Sequence, residues 1–371
     1  MKVSFITYSR APYRTDQLEE ICKVNDLDLT VYYIGRTMKS RNWNIKESSI
    51  FQEVHLEGYS KLGNHYILYP NVKKIVQNSD LILIGGYNST ASYLFTFYAK
   101  RLKKKLVFVM DGISPQRIKE SRSIKLIPKR WIINKMDAFF ANGEVSRDYL
   151  KLNYQINDQY IFNQFLTVDV NKINEIRKGS LSKITKIKND KYNNRFTILY
   201  AGRLLKRKQV INILKAVSKV KNNQDIQIVI IGSGEESRSL KEYARNSYLN
   251  VDFIDFISDQ KFLFEYYNIA DCFILPSVDE PWGLVVNEAE SAHLPVIATE
   301  ACGCVKDLVK DGYNGYVIRE NNIDDLADKI HLISKNREHA KIMGNNSFEL
   351  ISNWTHRSSA LSFKKLLEEI F

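Results

Sequence analysis

Short apolar runs recur through both halves of the chain, separated by stretches long enough to form helices. The runs are apolar at nearly every position, which is typical of strands buried on both faces of a parallel sheet. They lie at 3–8, 29–34, 81–84, 106–110 and 138–141, and then at 196–200, 226–231, 251–254, 272–275 and 296–298. One group in each half predicts an α/β chain with two doubly wound parallel sheets. In such sheets ligands bind beyond the carboxyl ends of the strands.

One of these strand ends carries two spaced carboxylates. Glu280 and Glu288 flank seven residues where the run at 272–275 gives way to an apolar helical pattern. The N-terminus of a helix can hold an anion, and Gly283 would let a ligand approach the main chain. Two carboxylates beside an anion site suit a ligand with phosphate and hydroxyl groups, such as a nucleotide sugar. An ordinary strand-to-helix corner with glutamates near the helix dipole is the alternative.

A second corner follows the run at 196–200. Gly202 ends it, and Arg203 and Lys208 follow as cations that can bind phosphate. The cluster 206–208 is also typical of a solvated helix face. Residues 232–234, a Gly-Ser-Gly turn after another strand, fit either a base pocket or a plain loop.

The half from 195 to about 352 resembles a retaining glycosyltransferase of family 4 with the GT-B fold. The resemblance rests first on a Gly-Arg-Leu corner with a lysine five residues after the arginine, which here is Gly202, Arg203, Leu204 and Lys208. It rests next on a Glu-x7-Glu pair with Gly and Leu after the first Glu, which here is Glu280, Gly283, Leu284 and Glu288. Three further segments match: ILPS at 274–277, LPVIAT at 294–299 and DGYNGYVI at 311–318.

The resemblance implies a GT-B enzyme whose two Rossmann-like domains face a cleft. By that resemblance Arg203 and Lys208 bind the donor diphosphate without a metal or other cofactor, Glu280 contacts the transferred sugar, and Glu288 binds the ribose. Main-chain groups near Gly202, Gly283 and Leu284 hold phosphate or sugar. The aromatic Trp282 completes the donor-binding set, and a UDP-sugar is the expected donor.

The sequence departs from the family at several places. Proline precedes Trp282, where a small residue is common, and His293 occupies a place usually given to glycine. Many family members have a histidine that contacts the donor sugar after the run at 106–110, where this chain has Asp111 followed by glycine. Asp111 is our candidate acceptor of a sugar hydroxyl; an Asp-Gly turn is the alternative.

The N-terminal half resembles the family only loosely. After the first strand, Tyr13 and Arg14 are candidates for a loop facing the cleft, although an arginine beside a proline turn is also typical of ordinary surface. Thr15 is expected to cap a helix from 16 to about 24.

The chain has 371 residues, more than one core usually organises, and therefore predicts two domains. We expect an acceptor-binding domain at 1–170 and a nucleotide-sugar-binding domain at 196–354. The segment 171–195, rich in Asn and Lys, is expected to be a linker or mobile surface. The segment 355–371 has helical periodicity, and in this fold such a helix usually crosses back to the first domain.

The net charge of +12 calls for an acidic partner. The segment 117–135 interleaves basic and apolar residues and predicts an element bound to anionic lipid through Lys125, Lys129, Arg130 and Trp131. A core-packed helix with solvated lysines is the alternative. No base-reading module is visible, which argues against nucleic acid.

Four cysteines without a Cys-x-x-Cys pair, no signal pattern and no long apolar run favour a cytoplasmic protein, peripheral on the inner membrane face. We therefore expect a transferase that moves a sugar from a nucleotide donor to a hydroxyl of a saccharide, lipid-linked where it builds a bacterial surface polymer. A non-catalytic GT-B subunit that binds nucleotide or a partner and regulates an active transferase is the alternative.

Overall fold

A computed structural model describes residues 1–34, 47–62, 65–121 and 123–371. The chain divides into two compact units. The first contains residues 1–112, 117–166 and 356–371, and the second contains 113–116 and 167–355. In the part of the chain that is described, no helix is both long enough and apolar enough to cross a bilayer.

The first unit is built on a parallel sheet with the order β3-β2-β1-β6-β7-β8-β9, beside a separate antiparallel pair, β4 and β5. Its elements are β1 Lys2–Thr7, α1 Pro12–Asn25, β2 Asp28–Tyr33, β3 Gln52–His55, β4 Tyr59–Leu62, β5 His65–Leu68, α2 Val72–Gln77, β6 Leu81–Ile84, α3 Thr90–Arg101, β7 Lys105–Met110, α4 Ile127–Ile133, β8 Ala138–Ala141, α5 Gly143–Tyr154 and β9 Ile161–Asn163.

The second unit is built on a parallel sheet with the order β12-β11-β10-β13-β14-β15. Its elements are α6 Val170–Tyr192, β10 Phe196–Ala201, α7 Ile211–Lys219, β11 Ile226–Ile231, α8 Ser237–Asn246, β12 Val251–Ile254, α9 Gln260–Ile269, β13 Cys272–Leu275, α10 Leu284–Ser291, β14 Val296–Thr299, α11 Val305–Leu308, β15 Gly315–Ile318, α12 Ile323–Lys335 and α13 Arg337–Ile351. The last helix of the chain, α14 His356–Ile370, belongs to the first unit.

The central strands are buried on both faces, as their apolar runs predict. Every residue of β6, β8, β10, β11, β13 and β14 is buried. The strands β3, β9 and β15 were not among the predicted runs. They lie at the sheet edges, where one side has no neighbouring strand and a long apolar run is not required.

The segment expected to be a linker is instead helical. The 23 residues of α6 run from Val170 to Tyr192, and this helix packs on α9 and α10 within the second unit. Asp169 caps its N-terminus by accepting a hydrogen bond from the main-chain N–H of Lys172. Half of the helix residues whose side chains are described are exposed, which accommodates the Asn and Lys residues, and the Lys-rich composition concealed a regular helix.

The helix α14 completes the core of the first unit. It packs on α1, and the ring of Phe363 meets that of Phe140 edge-on at 5.3 Å between centroids. Gln17 Nε2 donates to Ser359 Oγ at 2.8 Å. The expected start of α1 was wrong: the helix begins at Pro12, in a first-turn position where its missing N–H is harmless, and Thr15 lies inside it.

Candidate functional site

Each sheet has one switch point, where the chain stops adding strands on one side and starts on the other. In the second unit it lies between β10 and β13, because β11 and β12 extend one way and β14 and β15 the other. Open α/β sheets bind ligands beyond the carboxyl ends of the strands at such a point. Both predicted donor corners, 202–208 and 277–288, begin at these two strand ends.

The loop after β10 is held by glycines in the loop after β11. A Cβ on Gly232 would lie 2.0 Å from the carbonyl oxygen of Gly202, and one on Gly234 would lie 2.2 Å from that of Leu204. Leu204 N–H donates to the carbonyl of Ser233 at 2.9 Å. Of the two readings of 232–234, the structure therefore gives these glycines a packing role.

The cations of this corner differ in their surroundings. Arg203 is exposed, and within the described ranges its guanidinium has no hydrogen bond or ion pair. Lys208 is largely buried and forms an ion pair with Glu280. Arg207, which the sequence did not single out, donates to the carbonyl of Asp279 at 2.7 Å and lies 3.9 Å from Glu280. One cation is thus open to an anion, and another is held against the first carboxylate.

The loop carrying Glu280 is fixed by main-chain hydrogen bonds to the loop after β14. Gly303 N–H donates to the carbonyl of Glu280 at 2.9 Å, and Cys304 N–H to that of Trp282 at 3.1 Å. A Cβ on Gly303 would lie 2.1 Å from the carbonyl oxygen of Pro281, so only glycine allows this approach. Gly283 has φ +101° and immediately precedes α10, whose first residue is Leu284.

The ring of Trp282 is packed inside the protein in this structure, and its donor-binding role stays a prediction. Its side chain is buried, stacks on Trp354 at 5.3 Å between centroids, and donates its indole N–H to Asn287 Oδ1 at 2.9 Å. Asn287 is on α10. The tryptophan therefore anchors the loop to the helix.

Glu288 lies on α10, five residues after Gly283, and is only partly buried. Tyr267 donates its hydroxyl hydrogen to Glu288 Oε2 at 2.6 Å. Burial raises the pKa of the Glu288 carboxyl to about 7, although the tyrosine hydrogen bond opposes that shift. Sequence reasoning missed Tyr267, since it lies in an apolar helical pattern that resembles core.

Glu290 shows what a purely internal carboxyl looks like on the same helix. It is fully buried, and Asn314 Nδ2 donates to its Oε1 at 3.0 Å. Burial raises its pKa well above the usual range. Glu288, in contrast, is partly open to solvent.

The sequence profile described as glycosyl transferases group 1 matches residues 182–350. The capsular polysaccharide biosynthesis glycosyltransferase CapM of Staphylococcus aureus is 28% identical over 168 residues, 43% of this chain and 42% of that protein. The N,N'-diacetylbacillosaminyl-diphospho-undecaprenol alpha-1,3-N-acetylgalactosaminyltransferase of Campylobacter jejuni is 20% identical over an alignment of 383 residues, 100% of this chain and 99% of that protein. The crystal structure of Anabaena HepE in complex with UDP matches with a TM-score of 0.75 at 18% identity, covering 99% of this chain and 100% of that one.

Residues 182–350 are therefore a group 1 glycosyltransferase segment, and this segment lies in the second unit. The two parallel-sheet units of the chain have the GT-B fold, as the structural neighbours do. The matched segment spans less than half of the Staphylococcus protein.

In the first unit, Arg14 is not a surface residue. Its side chain is 10% exposed and forms an ion pair with Asp111, whose side chain is 51% exposed. Arg14 also donates to Gln17. The buried guanidinium therefore fixes a carboxylate that reaches solvent just after β7. Tyr13, the other loop candidate, lies 5.8 Å from the Arg14 guanidinium, measured to its ring centroid.

Lys129 was wrongly assigned to a lipid-binding surface. It is buried, and its ammonium forms an ion pair with Glu120 at 2.6 Å and lies 4.6 Å from the Tyr87 ring centroid. Burial raises the pKa of Glu120, but hydrogen bonds from Lys129 and Tyr149 outweigh it, and the net pKa lies below the usual value. The lysine closes a buried polar cluster and cannot reach a membrane.

The rest of the predicted lipid-binding segment lies closer to the surface. Ile124 and Ile127 are 78% and 55% exposed, Lys125 is exposed, and Trp131 is 38% exposed. Trp131 stacks on Tyr93 at 6.1 Å between centroids. Arg130 is only partly exposed. The four residues Ile124, Lys125, Ile127 and Trp131 are called the α4 surface below.

Proposed function

We propose that this glycosyltransferase moves a sugar from a UDP-sugar to an acceptor hydroxyl, with retention of anomeric configuration and without a metal ion. The observation that carries the proposal is the switch point of the second sheet, where the loop after β10 carries open Arg203 and pairs its Lys208 with Glu280, in the loop that leads into α10. Phosphate oxygens require such cations and N–H groups. The HepE structure in complex with UDP supports the choice of nucleotide.

The residues divide into two roles in this proposal. Arg203 and Lys208 offset the charge of the diphosphate, together with main-chain N–H groups near Gly202 and Leu284. The two carboxylates accept hydrogen bonds from hydroxyl groups, Glu288 from the ribose and Glu280 from the transferred sugar.

Glu280 also offsets the positive charge of Lys208. An ammonium that already faces a carboxylate attracts a diphosphate less strongly than a lone one, so the arriving phosphate competes with Glu280. Turnover then rests on positioning the sugar and on stabilising the departing diphosphate at the moment when its charge grows.

The acceptor is proposed to be a lipid-linked saccharide in the synthesis of a bacterial surface polysaccharide, with the first unit binding it. The names of the Campylobacter and Staphylococcus relatives support this choice of acceptor and process. Asp111, fixed by Arg14, is proposed to accept a hydrogen bond from a sugar hydroxyl. The α4 surface is proposed to rest on anionic lipid at the cytoplasmic membrane face, because it combines exposed apolar side chains with Lys125.

The test is turnover of purified protein with a panel of nucleotide sugars, with and without a lipid-linked saccharide. We expect slow hydrolysis of one UDP-sugar, faster transfer with acceptor, and a product whose anomeric configuration by NMR equals that of the donor. Binding of UDP without turnover of any donor would refute the enzymatic proposal and favour a regulatory subunit. A product of inverted configuration would refute retention.

A further inference from the structure

Tyr267 is a buried tyrosine whose hydroxyl meets one of the two carboxylates of the proposed donor site. It lies on α9, and its ring stacks on Phe273 of β13 at 5.8 Å between centroids and 13° between planes. The ring of Phe264 lies 5.5 Å away. Because close packing holds the ring, the hydroxyl has a fixed place, and it donates to Glu288 Oε2 at 2.6 Å.

The tyrosine also fixes the direction of this hydrogen bond. Burial, and then the charge of Glu288, raise the pKa of Tyr267 well above its usual value, so the hydroxyl keeps its proton and can donate. A donated hydrogen bond favours the ionised carboxylate, and it opposes the burial that raises the pKa of Glu288 to about 7. The tyrosine therefore favours the form of Glu288 that acts purely as an acceptor.

Glu288 keeps one carboxylate oxygen for a ligand. Among the described residues, its carboxylate accepts a hydrogen bond from Tyr267 alone, on Oε2, and the side chain is partly exposed. Glu290, two residues on, also has one internal donor, Asn314 Nδ2 at 3.0 Å, but its Oε2 is sealed inside the protein. Of these two carboxyls on α10, that of Glu288 is the one an arriving hydroxyl group can reach.

The other polar groups packed around α10 are directed elsewhere. From α6, Arg177 donates to the carbonyl of Ala292 at 3.1 Å, at the C-terminal end of α10. From β10, the Tyr200 hydroxyl donates to a main-chain carbonyl of the loop that follows at 2.9 Å. The strands β13 and β14 carry no charged residue, and neither does the buried face of α13. Tyr267 is therefore the side chain that decides the state of Glu288.

We propose that Tyr267 is a positioning residue of the donor site, which holds Glu288 Oε2 so that Oε1 accepts hydrogen bonds from the ribose hydroxyls of the donor. The proposal rests on the proposed function and deepens it, because the preference for a ribose then depends on a side chain that does not touch the ligand. The same hydrogen bond keeps Glu288 ionised near neutral pH. A protonated carboxyl would have fewer acceptor sites for the two hydroxyls.

Tyr267→Phe is the decisive variant, because it keeps the stacked ring and removes the hydroxyl. Tyr266→Phe is the matched control: Tyr266 neighbours it on α9, its hydroxyl has no hydrogen bond within the described residues, and its ring centroid lies 5.5 Å from Lys191 Nζ. Glu288→Gln and the double variant of Glu288→Gln with Tyr267→Phe complete a double-mutant cycle.

The measurement is calorimetry of the full chain with UDP and with 2′,3′-dideoxy-UDP, between about pH 6 and pH 9. The ratio of the two affinities isolates the ribose contact, because the diphosphate is common to both nucleotides and its own titration, at about pH 6, cancels. Carbon-13 NMR of the Glu288 carboxyl in the protein without nucleotide, assigned with Glu288→Gln, follows the ionisation directly.

Wild type and Tyr266→Phe should prefer UDP, and this preference should fall as the pH drops through about 7, where Glu288 takes up a proton. Tyr267→Phe should lose about fivefold of the preference at pH 7, and its midpoint and the Glu288 pKa should lie about one unit higher, the size of a lost hydrogen bond to a charged group. In the Glu288→Gln background, Tyr267→Phe should have no further effect.

The proposal is wrong if Tyr267→Phe keeps the midpoint and the UDP preference of wild type. It is also wrong if this variant loses affinity for both nucleotides equally at every pH, because that result marks a purely structural role. Equal affinity of wild type for the two nucleotides would overturn the ribose contact and this proposal with it, while binding of UDP would still support the donor site. No binding of UDP by wild type would overturn the proposed function as well.

Discussion

The two switch points of this protein share a topology and differ in charge. In the second unit the strand ends carry Arg203, Lys208, Glu280 and Glu288, whereas in the described part of the chain the residues lining a cavity at the switch point of the first unit, between β1 and β6, are neutral. The same arrangement of parallel strands therefore carries charged side chains at one switch point, and neutral ones among the described residues at the other. The fold supplies the location, and the loops after the strands supply the chemistry.

The largest effect is expected from removing the cations that distinguish the second unit. Arg203→Ala and Lys208→Ala should each weaken UDP binding by about 1.5 to 3 kcal/mol and nearly abolish transfer, because the diphosphate loses a charge-assisted partner. Lys208→Ala should also lower the melting temperature, since it leaves Glu280 without its ion pair, whereas Arg203→Ala should not.

Calorimetry with UDP and thermal unfolding measure both effects. Lys206→Ala is the matched control, as Lys206 is an exposed cation in the same loop. Unchanged UDP affinity in both variants would remove the phosphate assignment, and with it the charge difference between the two switch points.

The two carboxylates should separate in kinetics. Glu280→Gln is expected to lower turnover while leaving UDP affinity unchanged or improved, because it releases Lys208 from its ion pair. Glu288→Gln should weaken UDP binding, since its hydroxyl partner is on the nucleotide. Steady-state kinetics measures the turnover of each variant, and calorimetry measures its affinity for UDP. Identical behaviour of the two variants would disprove the division of roles.

The raised pKa of Glu288 predicts a pH-dependent stability. A carboxyl whose folded pKa is about 7 and whose unfolded pKa is near 4.5 stabilises the fold fully below pH 4.5, and this contribution is lost as the pH rises to about 7. Glu288→Gln should therefore gain stability relative to wild type across that range, by up to a few kcal/mol.

Denaturant unfolding at several pH values measures this gain. Glu290→Gln is the control, because it should gain stability in the same direction without any change in UDP affinity. A stability difference between Glu288→Gln and wild type that stays constant with pH would show that Glu288 titrates normally.

A smaller effect is expected from the α4 surface, which is proposed to bind anionic lipid. The double variant Ile124→Glu with Lys125→Glu should release the protein from vesicles of anionic lipid, since each basic residue near such a surface contributes about 1 kcal/mol. Ile342→Glu, at an exposed isoleucine of the second unit, should bind as wild type does. Vesicle sedimentation at low salt measures this, and equal binding by the double variant would make the α4 surface ordinary domain surface.

No effect is expected from chelation. EDTA should leave transfer unchanged, because Arg203 and Lys208 already supply positive charge to the diphosphate. An activity assay with and without EDTA checks this. Loss of transfer that manganese or magnesium restores would overturn the proposal and would give the second switch point a metal in place of its cations.

Much of the fold followed from local pattern. The buried runs at 226–231 and 272–275 are strands β11 and β13 because an uninterrupted apolar segment finds its place between two neighbours of a parallel sheet. The strand–loop–helix reading around Glu280 and Glu288 matches β13 and α10 for the same reason. The roles assigned to these two residues and to Arg203 and Lys208 stay predictions.

Residue type alone misjudged the burial of three side chains. Trp282, Arg14 and Lys129 were predicted for a donor site, a loop facing the cleft and a lipid-binding surface, yet each is buried against partners elsewhere in the chain. Arg14 meets Asp111 at a separation of 97 residues, and Trp282 stacks on Trp354. His293 is a milder case: its φ of +58° explains why glycine is usual there, and stacking of its ring on Phe348 at 4.2 Å accompanies the histidine.

The sequence by itself determined the two parallel sheets and the glycosyltransferase motifs of the second half, because apolar runs and short motifs carry that information within a few residues. It also predicted the strand ends at which the proposed donor site lies. Only the tertiary structure decided which charges are open and which are paired. It left Arg203 open, held Lys208 against Glu280, buried Lys129, and enclosed a cavity between β1 and β6. Burial and pairing depend on residues distant in the chain, and a cavity is a property of packed elements that no single segment encodes.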